Sequence, residues 1–190
     1  ETQTPVRVIP DPVDLDEFPV GPSMIPNGAP PIVMFHGVLT RNKGVDRLLA
    51  AARCLPHIQF WIVGDGPDLL RLKAHAPSNV RFRQWVSHDL IHTRIRECTI
   101  GVALRSENVG NHYVVTSPFL QYGAMAKPCL VTRRPVFEDY PWQFGSVEEF
   151  VQKLRDLLQH PKEGQKLRAY ILRHHDAKTI GESIWSRLSA

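Results

Sequence analysis

Residues 107–128 of the 190-residue chain, ENVGNHYVVTSPFLQYGAMAKP, combine side chains that can bind a polar ligand with the expected start of a helix. Glu107 and Asn108 follow an apolar run, and Gly110 frees the backbone for a turn. Ser117 is followed by proline, a pair typical of a helix N-terminus, where unpaired amide groups attract an anion. The segment therefore predicts an anion site, although Ser117 also suits the plainer role of a helix cap.

The first turns of this helix add groups that suit a sugar or a ribose. Thr116 directly precedes the helix, and Gln121 and Tyr122 stand about one turn inside it. A glutamine amide and a phenol can both hydrogen-bond to hydroxyl groups. The competing interpretation is that Tyr122 is a half-buried packing residue.

A second candidate is the segment HGVLTRNKG, which contains Gly37, Arg41, Lys43 and Gly44. It follows an apolar run and precedes a stretch of helical period. Two cations and free amide groups at the start of a helix suit a phosphate group. Taken alone, these residues favour the plainer interpretation of a surface turn with solvated charges.

Two further loops contain residues that suit a nucleotide. Gly64 opens the tight turn GDGP, which lacks the GxGxxG spacing of a dinucleotide site and so argues against a dehydrogenase. In RQWVS, Trp85 or Val86 is placed to lie against a flat base. The competing interpretation puts Trp85 in the core.

His88 and His92 are four residues apart, the spacing at which two histidines on one face of a helix can bind zinc. No third ligand is evident, and Ser87 with Asp89 explains the segment as a capped helix start. We therefore predict no metal site.

The composition is that of an ordinary soluble domain, with 43% hydrophobic and 22% charged residues. No apolar run approaches the roughly 20 residues of a membrane span. Basic residues are scattered along the chain, which argues against nucleic acid as a partner. Three separated cysteines, Cys54, Cys98 and Cys129, suit buried thiols in a reducing compartment. We expect a cytoplasmic protein, with peripheral membrane contact left open.

Short apolar runs alternate with stretches of helical period from Pro31 onward, which predicts an α/β fold with a three-layer, doubly wound, mainly parallel sheet and extra C-terminal helices. The expected strands are IVMF, FWIV, VRF, IGVAL and CLV. The expected helices are GVDRLLAAARCL, PDLLRLKAHA, SHDLIHTRIREC, SPFLQYGAMA, VEEFVQKLRDLLQH, KEGQKLRAYILRHH and AKTIGESIWSRLSA. We expect an entry segment over residues 1–30 that begins with a short strand, a Rossmann-like domain over 31–176 and a C-terminal helix over 177–190.

Taken in order, these segments resemble the C-terminal domain of the retaining GT-B glycosyltransferases of family four, over nearly the whole chain. The similar stretches are VIPDPVDLDEF, FHGVLTRNKGVDRLLAAA, FWIVGDGPDLLRL, NVRFRQWVSHDLI and ENVG followed by QYGAMAKPCLV. The resemblance implies half of a GT-B fold that binds a UDP- or GDP-linked sugar and needs no metal or other cofactor.

The resemblance also implies roles for single residues. Lys43 matches the lysine that holds the diphosphate, whereas Val38 stands where the family has arginine and Arg41 is the nearest replacement. Glu107 matches the acid that faces the donor sugar. Gln121 stands where the family has the acid that accepts the ribose hydroxyls.

The activity implied is transfer of the donor's sugar to an acceptor hydroxyl, with retention. The acceptor, a glycan or a lipid-linked sugar, would be bound by an N-terminal domain that the chain lacks, so we expect the chain alone to bind donor weakly and to be inactive. The terminal helix, with an exposed Trp185, would reach toward that domain. Two alternatives stay open: a non-catalytic binding module with this fold, and a UDP-sugar epimerase-like enzyme.

Overall fold

The computed structural model describes residues 8–21, 28–105 and 112–189 of the chain. Six strands form one sheet. They are β1 (Ile32–His36), β2 (Gln59–Val63), β3 (Val80–Arg83), β4 (Ile100–Ala103), β5 (Cys129–Thr132) and β6 (Gln143–Phe144).

All neighbouring strands of the sheet are parallel, in the order β3-β2-β1-β4-β5-β6. This is the Rossmann order, in which the direction of winding reverses between β1 and β4. Ligands of such sheets bind outside the carboxyl ends of the strands at that reversal. The crevice beyond β1 and β4 is therefore where a site is expected.

Seven α-helices are described, and six of them cover the two faces of the sheet. They are α1 (Val45–Cys54), α2 (Leu69–Ala74), α3 (Ile91–Arg96), α4 (Ser117–Ala124), α5 (Val147–Leu158), α6 (Glu163–His174) and α7 (Ala177–Leu188). One buried cluster joins the sheet to α1, α2 and α5, and the other joins it to α3, α4 and α6. The predicted doubly wound three-layer fold is confirmed.

The entry segment is held by contacts at two places, near the start of α7 and near the start of α3. Val13 accepts a backbone hydrogen bond from Ala177 at 3.1 Å and donates one to His175 at 2.8 Å. Phe18 is buried in the same core cluster as α3 and α4. Segment 8–18 thus runs from the start of α7 to the start of α3.

The structure differs from the sequence prediction in several elements. The sheet has a sixth strand, β6, which was not predicted. Residues 8–12 are not a strand, and a single bridge at Val13 is what the described part of the entry segment contributes. The helix predicted from Ser87 begins with a 3-10 turn, His88–Leu90, before α3.

α7 lies on the surface with no buried residue, and Trp185 and Leu188 are exposed on it. Among the described residues, no helix has the length and apolar character to cross a bilayer.

Candidate functional site

A cavity of about 260 Å³ opens at the carboxyl ends of β1 and β4, where the winding of the sheet reverses. Both halves of the sheet and the starts of α3 and α4 contribute to its wall. Its lining residues are Phe35, His36, Gly37, Val38, Lys43, Val63, Trp85, Val86, His88, Ile91, Leu104, Arg105, Thr116, Ser117, Pro118 and Gln121.

The start of α4 forms one wall of this cavity. Ser117 is the first helical residue and proline follows it. Thr116 occupies the N-cap position in an extended conformation, without a side-chain cap hydrogen bond. The Thr116 carbonyl accepts from Phe119 N at 2.9 Å, while the buried Thr116 hydroxyl has no partner among the described residues. Amide groups at such a helix start are free to bind an anion. The predicted helix start at Ser117 is confirmed, although the cap is Thr116.

Lys43 also lines this cavity, at the end of the 3-10 turn Arg41–Lys43. Burial lowers the pKa of its amine, and the positive charges of Arg105 and Arg134 lower it further. The three cations therefore lie close to one another, and Arg105 also lines the cavity. A cluster of cations beside free amide groups is suited to a di-anionic group.

Arg134 is more buried than Arg105, and it stabilises the loop before α4. It donates a 2.7 Å hydrogen bond to the Val114 carbonyl, and its guanidinium lies 4.9 Å from the centre of the Phe137 ring. Burial, with the charge of Arg105, lowers the pKa of Arg134 to about 10.

Arg41 does not line this cavity. Its side chain is 81% exposed and its Nε lies 3.8 Å from Asp68 Oδ1, a carboxylate that Arg71 also binds at 2.8 Å. Arg41 therefore turns toward the neighbouring loop. Arg105 lines the cavity together with Lys43, whereas Arg41 was the predicted partner of Lys43.

His36 is one of the polar side chains that line the cavity. His36 ends β1, is buried, and has an Nε2 atom without a partner among the described residues. Burial lowers the pKa of His36 to about 3, and the nearby His88 contributes to that shift. His36 is therefore neutral at physiological pH.

Gln121 is a second polar residue of α4, after Ser117, that lines the cavity. It is 4% exposed, its Nε2 lies 3.1 Å from His88 Nε2, and its Oε1 has no partner among the described residues. A buried acceptor without a partner costs free energy unless a ligand or water satisfies it.

Tyr122, which the sequence predicted to meet a ligand, does not line this cavity. Its ring is fully buried, and its hydroxyl donates a 2.7 Å hydrogen bond to the Met34 carbonyl. The ring packs directly on Gly101, where a β-carbon would collide with it. Tyr122 fixes α4 to the sheet, and its ring lies edge to face with the His36 ring, with 5.1 Å between the centroids.

The predicted base-binding residues, Trp85 and Val86, belong to the same cavity. Trp85 is 55% exposed, and both it and Val86 line the cavity. Trp85 also borders a neighbouring cavity of about 270 Å³ that includes Gly64. The glycines at 64 and 37 approach so closely that a β-carbon on Gly64 would collide with the Gly37 carbonyl oxygen. Their role is to bring the first two loops together.

Two predicted residues, Glu107 and Gly110, lie outside the described residues. His88 is bound to Gln121, and the described part of the chain has no group of three or more His, Cys, Asp or Glu residues that could hold a metal ion. Sequence reasoning missed His36 and Arg105 as site residues. Each is the first basic residue after the apolar run of its strand, which was the available signal.

Comparison with known families gives a match to the model described as glycosyl transferases group 1, over residues 30–160. Comparison with the curated proteins gives no match.

Several solved structures share the fold. A sucrose-phosphate synthase from Thermosynechococcus elongatus is similar with a TM-score of 0.80 and 15% identity, over 96% of this chain and 52% of that one. Anabaena HepE in complex with UDP-glucose has a TM-score of 0.78 and 17% identity, over 96% of this chain and 57% of that one.

A third structure is a separate domain of similar size. The C-terminal domain of the Francisella tularensis glycosyl transferase LpcC has a TM-score of 0.67 and 18% identity, over 87% of this chain and 99% of that domain. This chain thus spans about half of the first two proteins, and its fold is that of a GT-B C-terminal domain. Because the family match covers more than half of its residues, the chain belongs to the group 1 glycosyl transferases.

Proposed function

We propose that the chain is the donor-binding domain of a glycosyltransferase and that its cavity holds the nucleoside diphosphate part of a nucleotide sugar. The observation that carries the proposal is that Lys43 and the start of α4 line one cavity. That cavity lies at the reversal of winding, where sheets of this order bind nucleotides. HepE, which has the same fold, was solved with UDP-glucose.

The arrangement supports a specific orientation of the donor. The diphosphate lies between Lys43, Arg105 and the amide groups at Ser117, because these are the positive groups of the cavity. The base lies toward Trp85 and Val86, and the ribose lies by Gln121, whose buried carbonyl oxygen needs a donor.

In the proposed reaction, the bond from sugar C1 to the diphosphate oxygen breaks and a bond from C1 to the acceptor oxygen forms. The acceptor hydroxyl loses its proton and the nucleoside diphosphate leaves. Lys43, Arg105 and the α4 amides stabilise the negative charge that develops on the leaving group. Retention at C1 and the role of Glu107 beside the sugar rest on the family resemblance.

The chain spans about half of the sucrose-phosphate synthase and of HepE, and we propose that the acceptor, a glycan or lipid-linked sugar, is bound by another domain. The 190-residue chain then binds donor without transferring sugar. A non-catalytic binding module is the second candidate, favoured by Val38 at the family's arginine position and by Arg41 turned toward Asp68. The family to which the chain belongs gives no support to an epimerase.

Calorimetric titration with UDP, GDP and UDP-glucose tests the proposal. We expect binding of at least one of them, competitive with pyrophosphate because the cations and the helix start hold the diphosphate. Absence of heat with all of them would contradict it. The two candidates separate in an assay of the intact protein, since sugar transfer by that protein excludes a non-catalytic module.

A further inference from the structure

Gln121 is held by a chain of polar contacts that begins in the entry segment. Its Nε2 lies 3.1 Å from His88 Nε2, and His88 Nδ1 lies 3.6 Å from Glu17 Oε2. The three residues come from the entry segment, from the 3-10 turn before α3, and from α4. Their contacts connect three separate parts of the chain at the edge of the cavity.

The chemistry of these groups determines which atom donates the hydrogen bond and which atom accepts it. An amide nitrogen can only donate, so His88 Nε2 must accept the hydrogen bond from Gln121. A neutral imidazole with an accepting Nε2 carries its proton on Nδ1, and the carboxylate of Glu17 beside Nδ1 favours that tautomer. The amide nitrogen of Gln121 is thereby committed to His88, and its carbonyl oxygen is the group left facing the cavity.

The position of Glu17 is itself fixed by packing. The neighbouring Phe18 is 1% exposed, and its ring meets the His88 ring edge to face, with 5.7 Å between the centroids. Asp16 forms a 2.7 Å ion pair with Lys178 at the start of α7. The entry segment is therefore anchored on both sides of Glu17.

We propose that Glu17 and His88 are positioning residues that hold the Gln121 amide with its carbonyl oxygen toward the ligand, where it accepts a hydrogen bond from a nucleotide hydroxyl. The inference rests on the proposed function, because it assigns this hydroxyl to the nucleotide of the donor. Without His88, the amide can rotate and present nitrogen or oxygen alike. With it, a neutral glutamine acts as a dedicated acceptor.

The test compares UDP with 2′,3′-dideoxy-UDP, which lacks the hydroxyl donors of the ribose, by calorimetry on the 190-residue chain. GDP and 2′,3′-dideoxy-GDP form a second pair. We expect the unmodified chain to bind the hydroxylated nucleotide about 10-fold more tightly than its dideoxy analogue, as for one buried hydrogen bond. His88→Ala should reduce this preference to about 2-fold or less while changing the affinity for the dideoxy analogue little.

His92→Ala is the matched control, because His92 lies one turn further along and does not line the cavity. It should keep the full preference. His88→Gln, whose side-chain carbonyl can again accept from Gln121, should recover part of the preference. Glu17→Gln removes the charge beside Nδ1 and should give an intermediate preference. Thermal unfolding of each variant shows that it is folded.

The outcomes separate this inference from the function on which it rests. Equal losses of affinity for both members of a pair in folded His88→Ala, or no preference in the unmodified chain, would overturn the positioning role while leaving the nucleotide site intact. Failure of the unmodified chain to bind any of the four nucleotides would overturn the proposed function and this inference with it. If His88→Ala does not fold, the Glu17→Gln and His88→Gln variants decide between the same outcomes.

Discussion

Lys43 and Ser117 line the same cavity, although one follows β1 and the other begins α4. The reversal of winding between β1 and β4 brings these two loops together, because β1 and β4 are neighbours in the sheet. An amine and a helix start in the lining of one cavity are suited to bind a pyrophosphate. The nucleotide proposal depends on this relationship.

Lys43→Ala should weaken nucleoside diphosphate binding by about 1.5–3 kcal/mol, or about 10- to 150-fold, because it removes a charge-assisted contact in a half-buried position. Calorimetry with the best-binding nucleotide measures the change. Lys162→Ala, at an exposed lysine directly before α6, is the control. Equal affinities of the two variants would place the diphosphate elsewhere.

Arg105→Ala should also weaken binding, by about 1–2 kcal/mol, whereas Arg41→Ala should have a much smaller effect. The reason is geometric, since Arg105 lines the cavity and Arg41 turns toward Asp68. The same titration compares both variants. A larger loss in Arg41→Ala would show that Arg41 swings into the cavity when the ligand binds.

Trp85→Ala should weaken nucleotide binding by about 1–3 kcal/mol, the range measured for stacking of a base on an aromatic ring. The free energy of unfolding should change little, because the ring is 55% exposed. Trp185→Ala removes another exposed tryptophan, on α7, and should leave nucleotide binding unchanged. A loss of stability without a loss of affinity would assign Trp85 to packing.

Much of the fold could be predicted because strands β1, β2, β4 and β5 are short apolar runs with helical stretches between them. β6 was missed because it consists of two residues, Gln143–Phe144, and its place depends on pairing with β5. Two residues are too few to show the hydrophobic periodicity by which a strand is recognised in a sequence.

The site was predictable as a set of loops but not as a set of side chains. Gln121 and Tyr122 are neighbours on one helix, and only the packing of α4 on the sheet decides which of them faces the cavity. Arg41 and Arg105 are both cations after a strand, and the difference between them is Asp68, which comes from a third loop. Such contacts between distant segments do not follow from local spacing.

Tyr122→Phe should reduce the free energy of unfolding by about 1–3 kcal/mol, because it leaves the buried Met34 carbonyl without the donor that now lies 2.7 Å away. Nucleotide affinity should stay the same. Urea unfolding measures the change, and Tyr170→Phe, at a half-exposed phenol on α6, serves as the control. Reduced affinity with unchanged stability would restore Tyr122 to the binding site.

His36→Leu should make the stability of the domain less dependent on pH below about 6.5, the ordinary pKa of histidine. Burial holds the pKa of His36 at about 3 in the folded state, so the unfolded chain binds a proton in this range and the folded chain does not. The folded state therefore loses stability as the pH falls from about 6.5 toward 3, by up to about 1.4 kcal/mol per pH unit. Above that range His36 is neutral in both states and contributes no dependence.

Urea unfolding of the unmodified chain and of His36→Leu at several values between about pH 7 and pH 5 measures the difference in slope. The variant should gain stability relative to the unmodified chain as the pH falls, because it lacks the proton uptake of the unfolded state. His57→Leu, at an exposed histidine after α1, should keep the slope of the unmodified chain. Parallel pH profiles for the unmodified chain and His36→Leu would mean that His36 takes up its proton in the folded state, and the cavity floor would then carry a positive charge.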